Sequence, residues 1–169
     1  MTVERNDGLV DSVARQTGLP ELGTMLSLVD RVGPTGLIHV LEPLPWAQNE
    51  RLYFVELPEA GASGGRHAHK ALKQLFVAFS GRVRIRVKTP VAEVTHDLEP
   101  MKNALYLGPG VWREYIALEG AATLLVVASN MYDENDYIRD WTDYCSWFHQ
   151  RSSCAIGSDE NANPDVLRR

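Results

Sequence analysis

Through most of its middle, the chain alternates short apolar runs with turn residues. LSLVDRV, GLIHVLE, RLYFVEL, KQLFVAF, RVRIRVK, AEVTHDL, ALYLG, REYIAL and TLLVVAS follow one another from Leu26 to Ser129, separated by Gly, Pro and Asn. Short strands at nearly regular spacing, with turn residues between them, predict an all-β sandwich or barrel. In RVRIRVK, Arg82, Arg84, Arg86 and Lys88 alternate with Val83, Ile85 and Val87, giving that strand one apolar and one wetted face. TLLVVAS is apolar without alternation and is expected to be covered on both sides.

The period then changes. DENDYIRDWTDYCSWF opens on Asp133, a residue suited to an N-cap, and continues for more than three turns without Gly or Pro. It predicts a helix over 133–148. Ile138, Trp141 and Tyr144 or Cys145 would share a face and close one end of the barrel. Residues 1–24 read as an appendage with a short helix around 8–16, stopped by Gly18 and Pro20, and 150–169 reads as a loose polar tail.

Composition narrows the partners. A chain of 169 residues suits one domain, and a net charge of -5 argues against nucleic acid, because phosphate binding wants a basic excess. Cys145 and Cys154 lack metal-like spacing and fit a reduced cytoplasmic protein better than a disulfide framework. The first residues carry charge and no apolar signal core, and no apolar run approaches the roughly 20 residues of a membrane span. The expectation is a soluble cytoplasmic protein with neither nucleic-acid nor membrane partners.

The chemistry gathers around His67-Ala68-His69. Residues two apart on a strand point to one face, so the two imidazoles project together. The preceding GASGG contains glycines that let backbone approach a ligand closely. Gln74 and Gly81 follow, and Arg113 arrives after the Pro109-Gly110 turn. This spacing resembles a cupin metal site, in which an H-x-H pair, a carboxylate and a later histidine hold the ion. Here Gln74 stands at the carboxylate position and Arg113 at the third histidine. A guanidinium has no lone pair to give and would repel a cation, so no metal is expected. Two histidines are then free to carry protons, which an imidazole titrating near pH 6.5 does well in both directions. Tyr53 lies one strand earlier. If it points inward, its hydroxyl can meet the histidines, and Arg51 on the same face can hold an anion at the mouth. Trp112 either stacks on a flat ligand or is buried under the helix.

From about Met25 to Trp147 the chain resembles the sugar 3,4-ketoisomerases, the WxcM-like cupins. The resemblance is carried by RLYF, GGRHAHK with Gln74, PGVWRE and MYDENDYIRDWTDY. It implies a cupin jelly roll over 25–149, including the C-terminal helix, that forms a homodimer. It also implies a metal-independent isomerase that moves a keto group from C4 to C3 of a dTDP-linked 4-keto-6-deoxyhexose. His67 would be the base with His69 beside it, and Tyr53 matches the family's tyrosine. Arg113 would face the hexose and bear on the configuration formed at C4. A C3 proton next to the ketone would be removed to give an enediolate, and a proton returned at C4. The oxyanion would draw on the Tyr53 hydroxyl, His69 and Arg113. No redox cofactor is called for.

The chain departs from the family at Gly64, where members carry an arginine that here moves to Arg66, and at Thr35, which replaces a second arginine. Arg66 should point away from the His67 face, because neighbours on a strand alternate. Two alternatives stay open: a non-catalytic cupin that binds a nucleotide sugar, and a 3,5-epimerase-type enzyme on a similar substrate.

Overall fold

The computed structural model describes residues 21–33, 36–41 and 51–156. The helix expected around 8–16 lies outside the described residues, as do Thr35 and 157–169. Two five-stranded antiparallel sheets face one another. The first runs β1 (Thr24–Ser27), β9 (Asn103–Leu107), β6 (Gln74–Ser80), β11 (Ala122–Ala128), β4 (Arg51–Leu57). The second runs β12 (Tyr137–Ile138), β5 (Ser63–His69), β10 (Trp112–Ala117), β7 (Val83–Lys88), β8 (Glu93–Leu98). A separate ribbon pairs β2 (Val29–Gly33) with β3 (Gly36–Val40). Among the described residues one α-helix, α1 (Trp141–Ile156), follows. This is the jelly-roll architecture the strand spacing predicts.

Side-chain alternation builds the interior. Phe76 and Ala78 of β6, Val83, Ile85 and Val87 of β7, and Leu124 and Val126 of β11 meet between the sheets. A fully buried Val, Leu or Phe contributes roughly 1.5–3 kcal/mol through the apolar surface it removes from water. β11 is apolar on both faces for a visible reason. Its other face, Leu125 and Val127, packs with Leu75, Val77 and Tyr106 on the outside of the first sheet.

The basic alternation of β7 faces outward, as expected. Arg82 meets Glu119, Arg84 meets Asp97, and Arg86 and Lys88 share Glu114. The stripe is therefore neutralised by carboxylates from its neighbours, and pairs this exposed add little stability.

Two expectations are corrected. LSLVDRV is not one strand; β1 ends at Ser27 and β2 begins at Val29, where the chain leaves the sheet for the ribbon. The helix begins at Trp141 and not at Asp133. Asp133 does cap, but its carboxylate accepts from the Asn135 N–H and closes only a single 3-10 turn over Glu134–Asp136. Tyr137 and Ile138 then pair with His69 and Ala68 as the short edge strand β12. Asp140 makes the second cap, accepting from the N–H groups of Thr142 and Asp143. The helix then continues past His149 to Ile156.

Candidate active site

Strand phase places the site. In β4, Arg51, Tyr53 and Val55 turn inward while Leu52 and Phe54 face out. In β6, Gln74 and Phe76 turn inward. Arg113 enters from β10, directly opposite His67 of β5. All six predicted residues, Arg51, Tyr53, His67, His69, Gln74 and Arg113, thus gather on one side of the interior.

A bulge aims His67. The register between β10 and β5 slips so that Arg113 opposes His67 while Glu114 opposes Gly65, leaving Arg66 unpaired. Gly65 and Arg66 both adopt left-handed backbone, with φ of 86° and 48°. A β-carbon on Gly65 would stand 2.9 Å from the Arg113 carbonyl oxygen, so the close approach demands glycine twice over. The slip swings the Gly65 carbonyl 2.6 Å from Nδ1 of His67. A carbonyl only accepts, so Nδ1 carries the proton and Nε2 keeps its lone pair. Arg66 projects outward, as the alternation argument expects, and meets the Ser63 hydroxyl.

Arg113 holds the other side of that ring. Its Nη2 lies 2.6 Å from His67 Nε2, and its Nη1 donates to the His67 carbonyl at 3.0 Å. Burial, then the Arg113 charge, pull the His67 pKa down to about 3, so the ring is neutral at pH 7. Burial also lowers Arg113, to about 10, which leaves it a cation at neutral pH. His69 is shifted down in the same way, by burial first and Arg113 second. This donor set does not suit a metal ion, since a buried cation already occupies the lone pair one would need. Among the described residues no three His, Cys, Asp or Glu side chains converge as ligands.

Gln74 does not take the ligand role of the carboxylate it replaces. Its Nε2 donates to the Tyr53 oxygen at 2.9 Å, which leaves the Tyr53 hydroxyl proton free to be donated onward. Burial raises the Tyr53 pKa, against the opposing pull of Arg113, so the phenol stays protonated. Arg51 lies over the Tyr53 ring at 5.1 Å and the Tyr132 ring at 5.5 Å. Its Nε is buried without a hydrogen-bond partner among the described residues.

Two residues of the site escape the strand-based reading. Tyr137 of β12 lays its ring 4.2 Å from that of His69 and 4.9 Å from that of His67. Asp136 brings a carboxylate oxygen 2.8 Å from Nδ1 of His69, while its other oxygen accepts from the Ala71 N–H at 2.7 Å. The strap 134–139 is fastened on its outer side by Arg139, which forks onto Glu134 and covers the Tyr137 ring at 4.2 Å.

Trp112 is buried under α1, against Trp141 and Tyr144 at 5.3 and 5.7 Å, and does not face the interior. The helix reaches the site indirectly. The Tyr144 hydroxyl donates to the Gly110 carbonyl at 2.9 Å, and the Gly110 N–H donates to the His69 carbonyl at 2.8 Å.

The chain is similar to several known proteins. The sequence family described as "FdtA: WxcM-like, C-terminal" matches residues 21–149. The TDP-4-oxo-6-deoxy-alpha-D-glucose-3,4-oxoisomerase of Aneurinibacillus thermoaerophilus is 30% identical over 119 residues, 69% of this chain and 84% of that enzyme. A point mutant of the 3,4-ketoisomerase QdtA from Thermoanaerobacterium thermosaccharolyticum, solved with TDP-4-keto-6-deoxyglucose, superposes with a TM-score of 0.70 at 30% identity, covering 79% of this chain and 98% of that one. A 3,4-ketoisomerase from Helicobacter canadensis gives a TM-score of 0.69 at 27% identity over 75% of this chain and 97% of its own. The chain belongs to the WxcM-like cupin family of sugar 3,4-ketoisomerases.

Proposed function

We propose that this protein moves the keto group between C4 and C3 of a dTDP-linked 4-keto-6-deoxyhexose by acid–base chemistry, with His67 as the base. The observation that carries the reading is a neutral imidazole with a fixed tautomer set against a buried guanidinium, with a free phenol proton on the same side of the interior. His67 Nε2 takes the C3 proton, and the electron pair moves through C3=C4 onto the C4 oxygen. Arg113 trades its bond to Nε2 for the developing oxyanion, and Tyr53 donates to the same charge. Return of the proton from His67 to C4 completes an internal oxidation of C3 and reduction of C4, which balances without a redox cofactor. A buried cation is worth far more to the enediolate than it would be in water.

Arg51 is assigned to the anionic part of the substrate. Its buried Nε, without a hydrogen-bond partner among the described residues, and the Tyr132 ring offer charge and an aromatic surface at the mouth. Gln74 serves by holding Tyr53. The unit that folds around this site is taken to run from β1 at Thr24 to the end of α1 at Ile156, slightly beyond the expected 25–149. A cytoplasmic location accords with the free thiol of Cys145. Among the described residues no helix is long and apolar enough to cross a membrane.

A homodimer is part of the same proposal. The outer face of the first sheet exposes Leu52, Phe54 and Phe79, with Phe54 55% exposed and its ring against that of Phe79. The ribbon β2–β3 exposes Val29, Val32, Leu37 and Ile38, with Val32 90% exposed. A two-stranded ribbon is marginal by itself in water, and a second copy would cover both surfaces.

The direct test is incubation with dTDP-4-keto-6-deoxyglucose in deuterated water. The expected product is a 3-keto sugar, carrying deuterium at C4 to the extent that the proton held by His67 exchanges with solvent. A recovered sugar that is unchanged and unlabelled would count against the assignment.

A further inference from the structure

The segment that orients His67 is weak by itself. Gly65 and Arg66 both stand in left-handed backbone, with φ of 86° and 48°. Glycine passes easily to other conformations, and a residue with a β-carbon is disfavoured at positive φ. Such backbone persists only where its surroundings fix it. We infer that Tyr115 fixes this bulge and, through Gly65, positions His67. The inference rests on the isomerase reading.

Tyr115 shares the inward face of β10 with Arg113, because Glu114 between them turns outward to Arg86. Its register partner on β5 is Gly64. The ring lies across both glycines. A β-carbon on Gly64 would stand 2.7 Å from its Cε2, 2.8 Å from its hydroxyl oxygen and 2.9 Å from its Cζ, and one on Gly65 would stand 3.2 Å from its Cδ1. An aromatic face thus covers backbone that has no side chain of its own to pack. The Gly65 N–H donates to the Tyr115 hydroxyl oxygen, and the Gly65 carbonyl accepts from His67 Nδ1 at 2.6 Å. One residue therefore carries the phenol on its amide and the imidazole on its carbonyl, with only its own φ and ψ between them.

That link bears on the reaction. His67 Nε2 can take the C3 proton only while the ring proton stays on Nδ1. Two contacts enforce this state, Arg113 Nη2 at 2.6 Å from Nε2 and the Gly65 carbonyl at Nδ1. When Arg113 turns to the developing oxyanion, the Gly65 carbonyl is the hold that remains. The same carbonyl favours the protonated ring, against burial and the Arg113 charge, and so supports the imidazolium as it forms. Tyr115 acts through Gly65 and is a positioning residue.

The test reads the His67 ring by proton–nitrogen correlation NMR on protein carrying isotope-labelled histidine, with His67→Asn assigning the signals. Wild type is expected to show the proton on Nδ1 alone. Tyr115→Leu keeps apolar bulk and removes both the ring and the hydroxyl. Its His67 is expected to populate both tautomers, with kcat lowered roughly 10- to 100-fold and KM within about threefold. Tyr115→Phe keeps the ring over the glycines and loses one hydrogen bond, so kcat should fall less, by about 2- to 10-fold. A Tyr115→Leu protein with wild-type kcat, or one whose kcat falls while His67 keeps its tautomer, would overturn the inference. Should Tyr115→Leu not fold, Tyr115→Phe decides: reduced kcat with altered His67 signals sustains the inference, and any other result overturns it. A wild-type protein that leaves dTDP-4-keto-6-deoxyglucose unconverted would instead overturn the isomerase reading, while the NMR comparison still tests the hold on His67.

Discussion

Arg113 grips His67 at two points, donating from Nη1 to its carbonyl at 3.0 Å and from Nη2 to its ring Nε2 at 2.6 Å. Burial first, and this cation second, hold the ring neutral, and in the proposed mechanism the same cation stabilises the charge that the base creates. Arg113→Met preserves bulk and removes that charge. The His67 pKa should rise from about 3 toward, but not reach, the ordinary 6.5, because burial is the larger cause and remains. An NMR titration of the ring reads this directly. An unchanged value would mean that burial alone sets it.

Acid should destabilise the protein through the same groups. His67 and His69 both have folded-state pKa values below the unfolded value, so between those values the unfolded chain binds protons that the folded one refuses. Their contribution is complete above about pH 6.5 and is lost as pH falls from there toward 3. Thermal melts at a series of pH values should show the midpoint of wild type falling more steeply over that window than that of His67→Asn. Equal slopes would remove His67 from the linkage.

The loss of the family arginine at Gly64 has a steric partner. A β-carbon on Gly64 would come within 2.7 Å of the Tyr115 ring, which fills the space a longer side chain would use. Gly64→Arg alone should lower stability by about 1–3 kcal/mol, as overpacked sites do. In a Tyr115→Ala background the same change should cost much less. Denaturant melts of the four proteins in the cycle give the coupling, and additive effects would show that the two positions are independent.

Most of the site is legible in the chain because strands have a period of two. That period puts His67 with His69 and Arg51 with Tyr53, and the Pro109-Gly110 turn brings Arg113 back to them. The bulge at Gly65 and Arg66 is not legible, since one slipped residue leaves the apolar pattern of the strand intact. Asp136 and Tyr137 are hidden for a different reason. A two-residue strand has no periodicity, and DENDYIRDWTDY carries two capping aspartates seven residues apart. Taking Asp133 as the helix start absorbs Tyr137 into a helix, whereas starting at Asp140 frees it to pair beside His69. Trp112 follows its bland reading and is buried under α1.

The outer sheet face offers a test of assembly. Phe54→Glu places a charge in the middle of the exposed apolar patch without entering the interior, so the barrel should remain folded. Sedimentation should show a dimer for wild type and a monomer for the variant. A wild-type monomer, or a dimer indifferent to the change, would put the contact elsewhere or nowhere.

His67→Asn tests the central claim most directly, because it keeps a small polar side chain and removes the base. Single-turnover conversion of dTDP-4-keto-6-deoxyglucose should slow by about two to four orders of magnitude, with thermal stability at pH 7.5 nearly unchanged. Conversion at the wild-type rate by a folded variant would contradict His67 as the group that moves the carbon proton.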